Sequence, residues 1–209
     1  MKVTVLNHPL IQSKITTLRN IKTDKKLFKT TLNEIAQLLV YETTSNLQTI
    51  TEQINTPITS TLGYKLKSEI VLVVLLRAGM GLLNGFSSII PDAEIGFIGL
   101  KRNEQTLQAE IYLNQLPSDL SNKTVIILDP ILATGNSTNK AIELIKKHSD
   151  TGLKVKFVGV VGCQVGVDNL LKENPDIEIY LGALDEKLNE HGYLVPGLGD
   201  AGDRLFGKN

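Results

Sequence analysis

VIILDPILATGNST, residues 125–138, drives four apolar residues into Asp129 and Pro130, then opens into a loop of small and hydroxyl-bearing residues, Ala133-Thr134-Gly135-Asn136-Ser137-Thr138. A continuous apolar run of this length reads as a strand covered on both faces. Core filling alone gives such a strand no reason to end on an acid. A loop rich in small residues lets consecutive backbone N–H groups converge, and a following helix adds the positive end of its dipole. Thr134, Ser137 and Thr138 supply hydroxyl donors, while the acid meets the opposite need by accepting hydrogen bonds from sugar hydroxyls. A ribose 5-phosphate satisfies both halves. The alternative is an ordinary strand-to-helix turn capped by a serine or threonine. A Walker A loop is excluded, since no lysine follows Gly135.

Upstream, IVLVVLL (70–76) is another uninterrupted apolar run, followed by a glycine-rich turn and a helical stretch, and EIGFIGL (94–100) reads as a further strand. Downstream, the pattern predicts a helix over 137–148, a strand at KVKFVGVVG (154–162), a helix near 166–173 and a strand at IEIYLGAL (177–184). QTLQAEIYL (105–113) reads as an exposed β-hairpin arm. In the first quarter, Asp24 and Lys25 lead into Phe28, Leu32, Ile35 and Leu39, which share one helix face. Residues 49–66 mix Thr, Ile and Pro and look extended. The alternation is that of an α/β domain with a mainly parallel central sheet flanked by helices. Such sheets bind ligands beyond the carboxyl ends of their strands. Arg77, Arg102 and Asp129 each follow an apolar strand, so the rule gathers them at one rim.

The 209 residues fit one domain, with no repeat or linker. Lys+Arg and Asp+Glu both number 22, so the whole-chain charge favours neither nucleic acid nor an anionic membrane. MKVTVLNHPLIQSK lacks the signal-peptide pattern, and no apolar run reaches membrane-spanning length. A single cysteine, Cys163, excludes an intrachain disulfide and suits a reducing compartment; within FVGVVGCQVG it reads as a buried structural thiol. A cytoplasmic protein is therefore expected, and the glycosylation-like triplets at Asn122 and Asn136 are chance matches. His8, His148 and His191 are scattered without zinc spacing. Gly79-x-Gly81-x-x-x-Gly85 faintly resembles a dinucleotide fingerprint, but its third glycine comes one residue late and no acid closes a second strand at the expected distance.

LDPILATGNS (128–137) resembles the phosphoribosyl-diphosphate loop of the type I phosphoribosyltransferases, in the form carried by the uracil phosphoribosyltransferases. Most relatives place two adjacent acids at this strand end; the uracil branch has Asp-Pro, as Asp129-Pro130 does here. HGYLVPGLGDAGDRLFG (191–207) is similar to that branch's uracil-binding segment, LLRAGMG (75–81) and IGLKRNE (98–104) to its two arginine motifs, and NHPLIQSK (7–14) to its N-terminal arm. The resemblance implies the type I phosphoribosyltransferase fold with a C-terminal base-binding hood. Residues 1–209 would form one domain: a core over 69–184, an N-terminal arm and helices over 1–66, and the hood over 185–209. The implied reaction transfers the 5-phosphoribosyl group from 5-phosphoribosyl 1-diphosphate (PRPP) to N1 of uracil, giving UMP and diphosphate in pyrimidine salvage. By the same resemblance, PRPP falls to Arg77, Arg102, Asp129, Pro130, Ile131, Leu132, Ala133, Thr134, Gly135, Asn136, Ser137 and Asp200. Uracil falls to Tyr193, Leu194, Gly199, Asp200 and Ala201, and catalysis to Arg77, Arg102 and Asp200. Mg2+ travels on PRPP, with no direct protein–metal bond implied. A homodimer or larger assembly is implied too, with 49–66 placed to contribute, and some members respond to GTP.

The chain departs from the pattern in several places. Asn136 stands where this loop usually has glycine; asparagine tolerates positive φ, so a left-handed or otherwise glycine-like backbone is expected at Asn136. Asn103 replaces a frequent aspartate beside Arg102, and Gln164-Val165 replaces a small-Pro-acid pattern. Leu194 stands where isoleucine or threonine is common, a change that main-chain recognition of the base would absorb. Two other functions remain in view. One is a regulator that keeps the pocket but binds RNA, against which the even charge count and intact uracil segment weigh. The other is a phosphoribosyltransferase for a different base, against which the tail motif weighs.

Overall fold

The computed structural model describes residues 2–102 and 109–207. Its strands are β1 (Val3–Val5), β2 (Thr49–Asn55), β3 (Ser60–Leu66), β4 (Ile70–Leu76), β5 (Glu94–Arg102), β6 (Ala109–Gln115), β7 (Thr124–Leu128), β8 (Ile131–Leu132), β9 (Lys154–Cys163), β10 (Glu178–Asp185), β11 (Lys187–Leu188) and β12 (Leu194–Val195). The helices are α1 (Pro9–Arg19), α2 (Lys25–Thr44), α3 (Met80–Ile89), α4 (Asn136–Lys146), α5 (Gln164–Glu173) and α6 (Ala201–Phe206).

The apolar runs make the centre of one sheet, in the order β1-β10-β9-β7-β4-β5-β6, with β8 added against β9. All of its pairings are parallel except β5 with β6. Side chains alternate across a strand, so β4 divides its residues between two cores. Ile70, Leu72 and Val74 join α1, α2 and α3 on one face. Val71, Val73 and Leu75 join Ala141, Ile142 and Ile145 of α4 and Val167 and Leu170 of α5 on the other. This double cover is why the strands read as unbroken apolar runs.

Asp24 caps α2 by accepting a hydrogen bond from Leu27 N at 2.8 Å, and the expected face of Phe28, Leu32, Ile35 and Leu39 is fully buried. The faint dinucleotide fingerprint has a packing origin instead. A Cβ on Gly85 would lie 2.5 Å from Ala36 Cβ and 2.7 Å from Asn33 O, so this glycine lets α3 lie directly on α2.

The expected arm at 105–113 falls on the β5–β6 hairpin: β5 pairs with β4 only as far as Gly99, so 100–102, paired with 109–111, run on past β4, while 103–108 lie outside the described residues. The hairpin that stands apart is made from the extended 49–66 region, where β2 and β3 pair only with each other.

From β4 the chain steps to β5 on one side, then returns to place β7 on the other. The order reverses between β4 and β7. In parallel sheets that reversal opens a crevice at the carboxyl ends of the strands, and Arg77 and Asp129 leave the sheet there.

Candidate active site

Arg77 follows β4 directly, through a cis Leu76–Arg77 peptide, and its Nη2 lies 3.3 Å from Asp203 Oδ1. It shares a cavity of about 230 Å3 with Leu75, Leu76, Ala78, Leu100, Asp129, Ser137, Asp200 and Gly202. Thus the rim residue after β4, the acid after β7 and two residues of the C-terminal segment meet in one space. Arg102 is the last residue of β5, whose parallel pairing with β4 brings its backbone to the same edge of the sheet. Asn103 lies outside the described residues.

Asp129 sits deep enough that desolvation pushes its pKa up to about 7, opposed only by a long hydrogen bond, 3.5 Å, from Ile131 N. After it the loop is stitched to the sheet: the Pro130 carbonyl accepts from Val160 N at 2.9 Å and Val161 N at 3.1 Å, and Ile131-Leu132 becomes β8. Pro130 and Leu132 are buried, so their side chains serve the core rather than a ligand.

The positive φ expected at Asn136 is found one residue earlier. Gly135 has φ 79° and caps α4, Asn136 is that helix's first residue, and among described non-glycine residues only Asn122 has φ above zero. Of two adjacent candidates for a left-handed turn, glycine takes it at lower cost than asparagine. The hydroxyls also divide. Thr134 and Ser137 are exposed, but Thr138 is 2% exposed and is not offered to a ligand.

The C-terminal segment forms a small hood. β11 pairs antiparallel with β12, and Asn189 shapes the turn between them, its Oδ1 accepting from His191 N at 3.0 Å and Tyr193 N at 2.9 Å. Ile131, Gly192, Tyr193, Leu194, Gly197, Leu198, Gly199 and Asp200 line a second cavity of about 180 Å3. Asp200 therefore lines both cavities, and its Oδ1 caps α6 by accepting from Asp203 N at 2.8 Å. Tyr193 is half exposed, whereas Leu194 and Ala201 are buried, which leaves mainly main-chain groups for a base.

Several residues that hold this hood escaped the sequence reading. Asp185 Oδ2 accepts from Gly197 N at 2.9 Å, while Arg19 grips the Asp185 carboxylate with both of its terminal nitrogens and reaches Gly197 O at 2.7 Å. Arg204 Nη1 donates to the Leu18 carbonyl and, at 3.0 Å, to that of Leu198; its Nη2 donates to Asn20 O at 3.0 Å and Thr23 O at 3.2 Å. Asp185 carried a usable signal, since it closes the IEIYLGALD run as Asp129 closes its own strand. Arg19 and Arg204 carried none, because their partners are mostly distant carbonyls.

A larger cavity, about 570 Å3, opens elsewhere, among residues at the starts of β9 and β10. Within it Lys156 lies 3.2 Å from Glu178 and donates to Thr43 O at 2.7 Å. Among the described residues, no group of three or more His, Cys, Asp or Glu is assembled to hold a metal, and no helix is long and apolar enough to cross a membrane.

A model of the uracil phosphoribosyltransferase family matches residues 5–208. A uracil phosphoribosyltransferase of Malacoplasma penetrans is 50% identical over 203 residues, covering 97% of this chain and 98% of that protein. Among solved structures, the AQ2163 protein from Aquifex aeolicus superposes with a TM-score of 0.92 at 39% identity, over 98% of each chain. A hypoxanthine-guanine phosphoribosyltransferase from Bacillus anthracis shares the fold alone, with a TM-score of 0.51 at 14% identity over 77% of this chain and 80% of that one.

Proposed function

This chain belongs to the uracil phosphoribosyltransferase family, whose reaction joins uracil to PRPP to give UMP and diphosphate, and we propose that its residues divide that transfer between the two cavities that meet at Asp200. That shared residue is the observation that carries the assignment of roles.

In this reading the 5-phosphate rests on the backbone N–H groups and hydroxyls of Ala133–Ser137, at the start of α4, where the helix dipole favours an anion. Asp129 accepts from the ribose hydroxyls. Arg77 and Arg102 hold the diphosphate, which a guanidinium can grip in bidentate fashion. Uracil lies in the hood against Tyr193 and the main chain of Leu194 and Gly199-Asp200-Ala201. N1 of uracil attacks the anomeric carbon as the bond to diphosphate breaks, and the N1 proton is lost. Positive charge grows on the sugar and negative charge on the departing group, and fixed groups aimed at such charge usually supply the largest catalytic term.

The donor set suits magnesium bound through water rather than in a protein cage: Asp200 spends one carboxylate oxygen on the α6 cap and keeps the other for a metal-bound water. When bound, the ion neutralises charge on the diphosphate.

We read residues 1–209 as one catalytic domain with the core at 69–184. The buried unpaired thiol of Cys163 suits a reducing cytoplasm. The β2–β3 hairpin supports a homodimer or larger assembly, because an isolated two-stranded ribbon is marginal in water and every residue of β2 is exposed.

The test is incubation with Mg2+, PRPP and a panel of free bases, scoring the nucleotide formed, with and without GTP. Uracil is expected to give product and cytosine to fail, since a site built on hydrogen bonds rejects a base whose donors and acceptors are exchanged. Equal turnover of another base would remove the hood assignment. A salt-sensitive RNA complex without turnover would instead favour the regulator.

A further inference from the structure

The phosphate loop is held from behind by α5. The Cys163 thiol, at the cap of that helix, donates to the Ala133 carbonyl at 3.1 Å. One turn on, a Cβ at Gly166 would lie 2.4 Å from the same carbonyl, so only glycine allows the approach. One turn further, Asn169 Nδ2 donates to the Thr134 carbonyl at 2.7 Å and to Asn136 Oδ1 at 2.9 Å. Gly166 and Asn169 share one helix face, and with Cys163 at the cap this side of α5 holds two successive loop carbonyls. A trans peptide is planar, with its C=O and N–H pointing in opposite directions. Drawing the Thr134 carbonyl toward α5 therefore turns the Gly135 N–H away from α5, out of the loop's opposite side.

We infer that Asn169 is a positioning residue for the phosphate loop, that it aims the Gly135 N–H at the bound phosphate, and that Asn136 serves as its second acceptor. The inference rests on the loop being the phosphate cradle. A primary amide carries two N–H donors, and the two hydrogen bonds above employ both. The asparagine at the usual glycine position thus gains a reason that backbone conformation does not supply: its side chain completes the clamp.

The experiment measures KM for PRPP and for uracil separately in Asn169→Ala, Asn169→Leu, Asn136→Gly and the double variant Asn136→Gly/Asn169→Ala, with Thr134→Ala as the reference for the cradle. Leucine approximates the amide's shape without its donors. Both Asn169 variants are expected to raise KM for PRPP about tenfold, the effect of losing one to two hydrogen bonds, and to leave KM for uracil within about twofold. Asn136→Gly should have a smaller effect, and little further effect when added to Asn169→Ala, because it removes a partner already lost. An Asn169→Leu enzyme close to wild type beside an impaired Asn169→Ala would mean packing, and would overturn the inference. So would unchanged PRPP affinity in both Asn169 variants while Thr134→Ala is impaired, which spares the cradle. If Thr134→Ala is unimpaired as well, the cradle reading falls with it.

Discussion

A carboxyl group accepts from ribose hydroxyls most strongly when ionised, yet Asp129 occupies a place where burial favours its protonated form, with a pKa pushed up to about 7. On the proposed role, kcat/KM for PRPP rises as pH increases through about 7, and Asp129→Asn flattens that step. A step of equal size in the variant would assign the titration to another group. Stability has the opposite sign. A raised carboxyl pKa means the folded chain binds the extra proton between roughly pH 4 and 7, so this contribution is lost as pH rises through the folded value. Urea unfolding of Asp129→Asn against the parent should show the variant's relative stability improving from pH 5.5 to pH 8. Asp129 was legible because an acid closing an apolar strand is conspicuous in one dimension. Asn169 was not, since its partners stand 35 and 33 positions away and an asparagine within a helix is unremarkable.

Strands are the most legible elements here, because burial on both faces leaves them unbroken in composition. The hood is legible only as a motif; what holds it is an element-to-element brace. α6 has six residues, too few to stand alone in water, and it is fixed by Arg204 reaching carbonyls at and beyond the end of α1, with its guanidinium 4.2 Å from the centre of the Phe28 ring. A lysine there keeps the charge but lacks the planar fork that spans several carbonyls. Arg204→Lys is therefore expected to raise KM for uracil roughly tenfold or more, from the loss of two or more hydrogen bonds, and to change KM for PRPP much less. Hydrogen exchange should speed up over residues 185–207 while β4 and β7 stay protected. Equal loss of both substrates, or faster exchange throughout the sheet, would make Arg204 a general stabiliser rather than a brace for the hood.

At the scale of the whole molecule, the β2–β3 hairpin is the feature a single copy leaves unexplained. The register puts Leu66 opposite Thr49, Tyr64 opposite Thr51 and Leu62 opposite Gln53, so the three large side chains form one stripe on one face of the ribbon. They are 46%, 75% and 63% exposed, and Ile58 at the tip is 94% exposed. The extended character of 49–66 was readable from composition; its self-pairing was not, because register depends on which strand lies opposite. A ribbon of this kind gains stability only by packing against something, and a contiguous exposed apolar patch marks an interaction surface. The chain itself is the one partner always present at matching concentration. Sedimentation at micromolar protein should give a dimer or larger species, and Leu62→Lys/Tyr64→Lys should shift it toward the single-chain mass, since two charges would be buried without partners. The proposed active-site rim lies on the central sheet, and the two substituted side chains do not line either of its cavities. If the rim is complete within one chain, the dissociated variant keeps its KM values and loses only thermal stability. Loss of turnover that returns at high protein concentration would instead mean that the neighbouring copy completes the site. A wild-type chain that sediments as a single copy would leave the stripe without its partner and remove the assembly from the proposal.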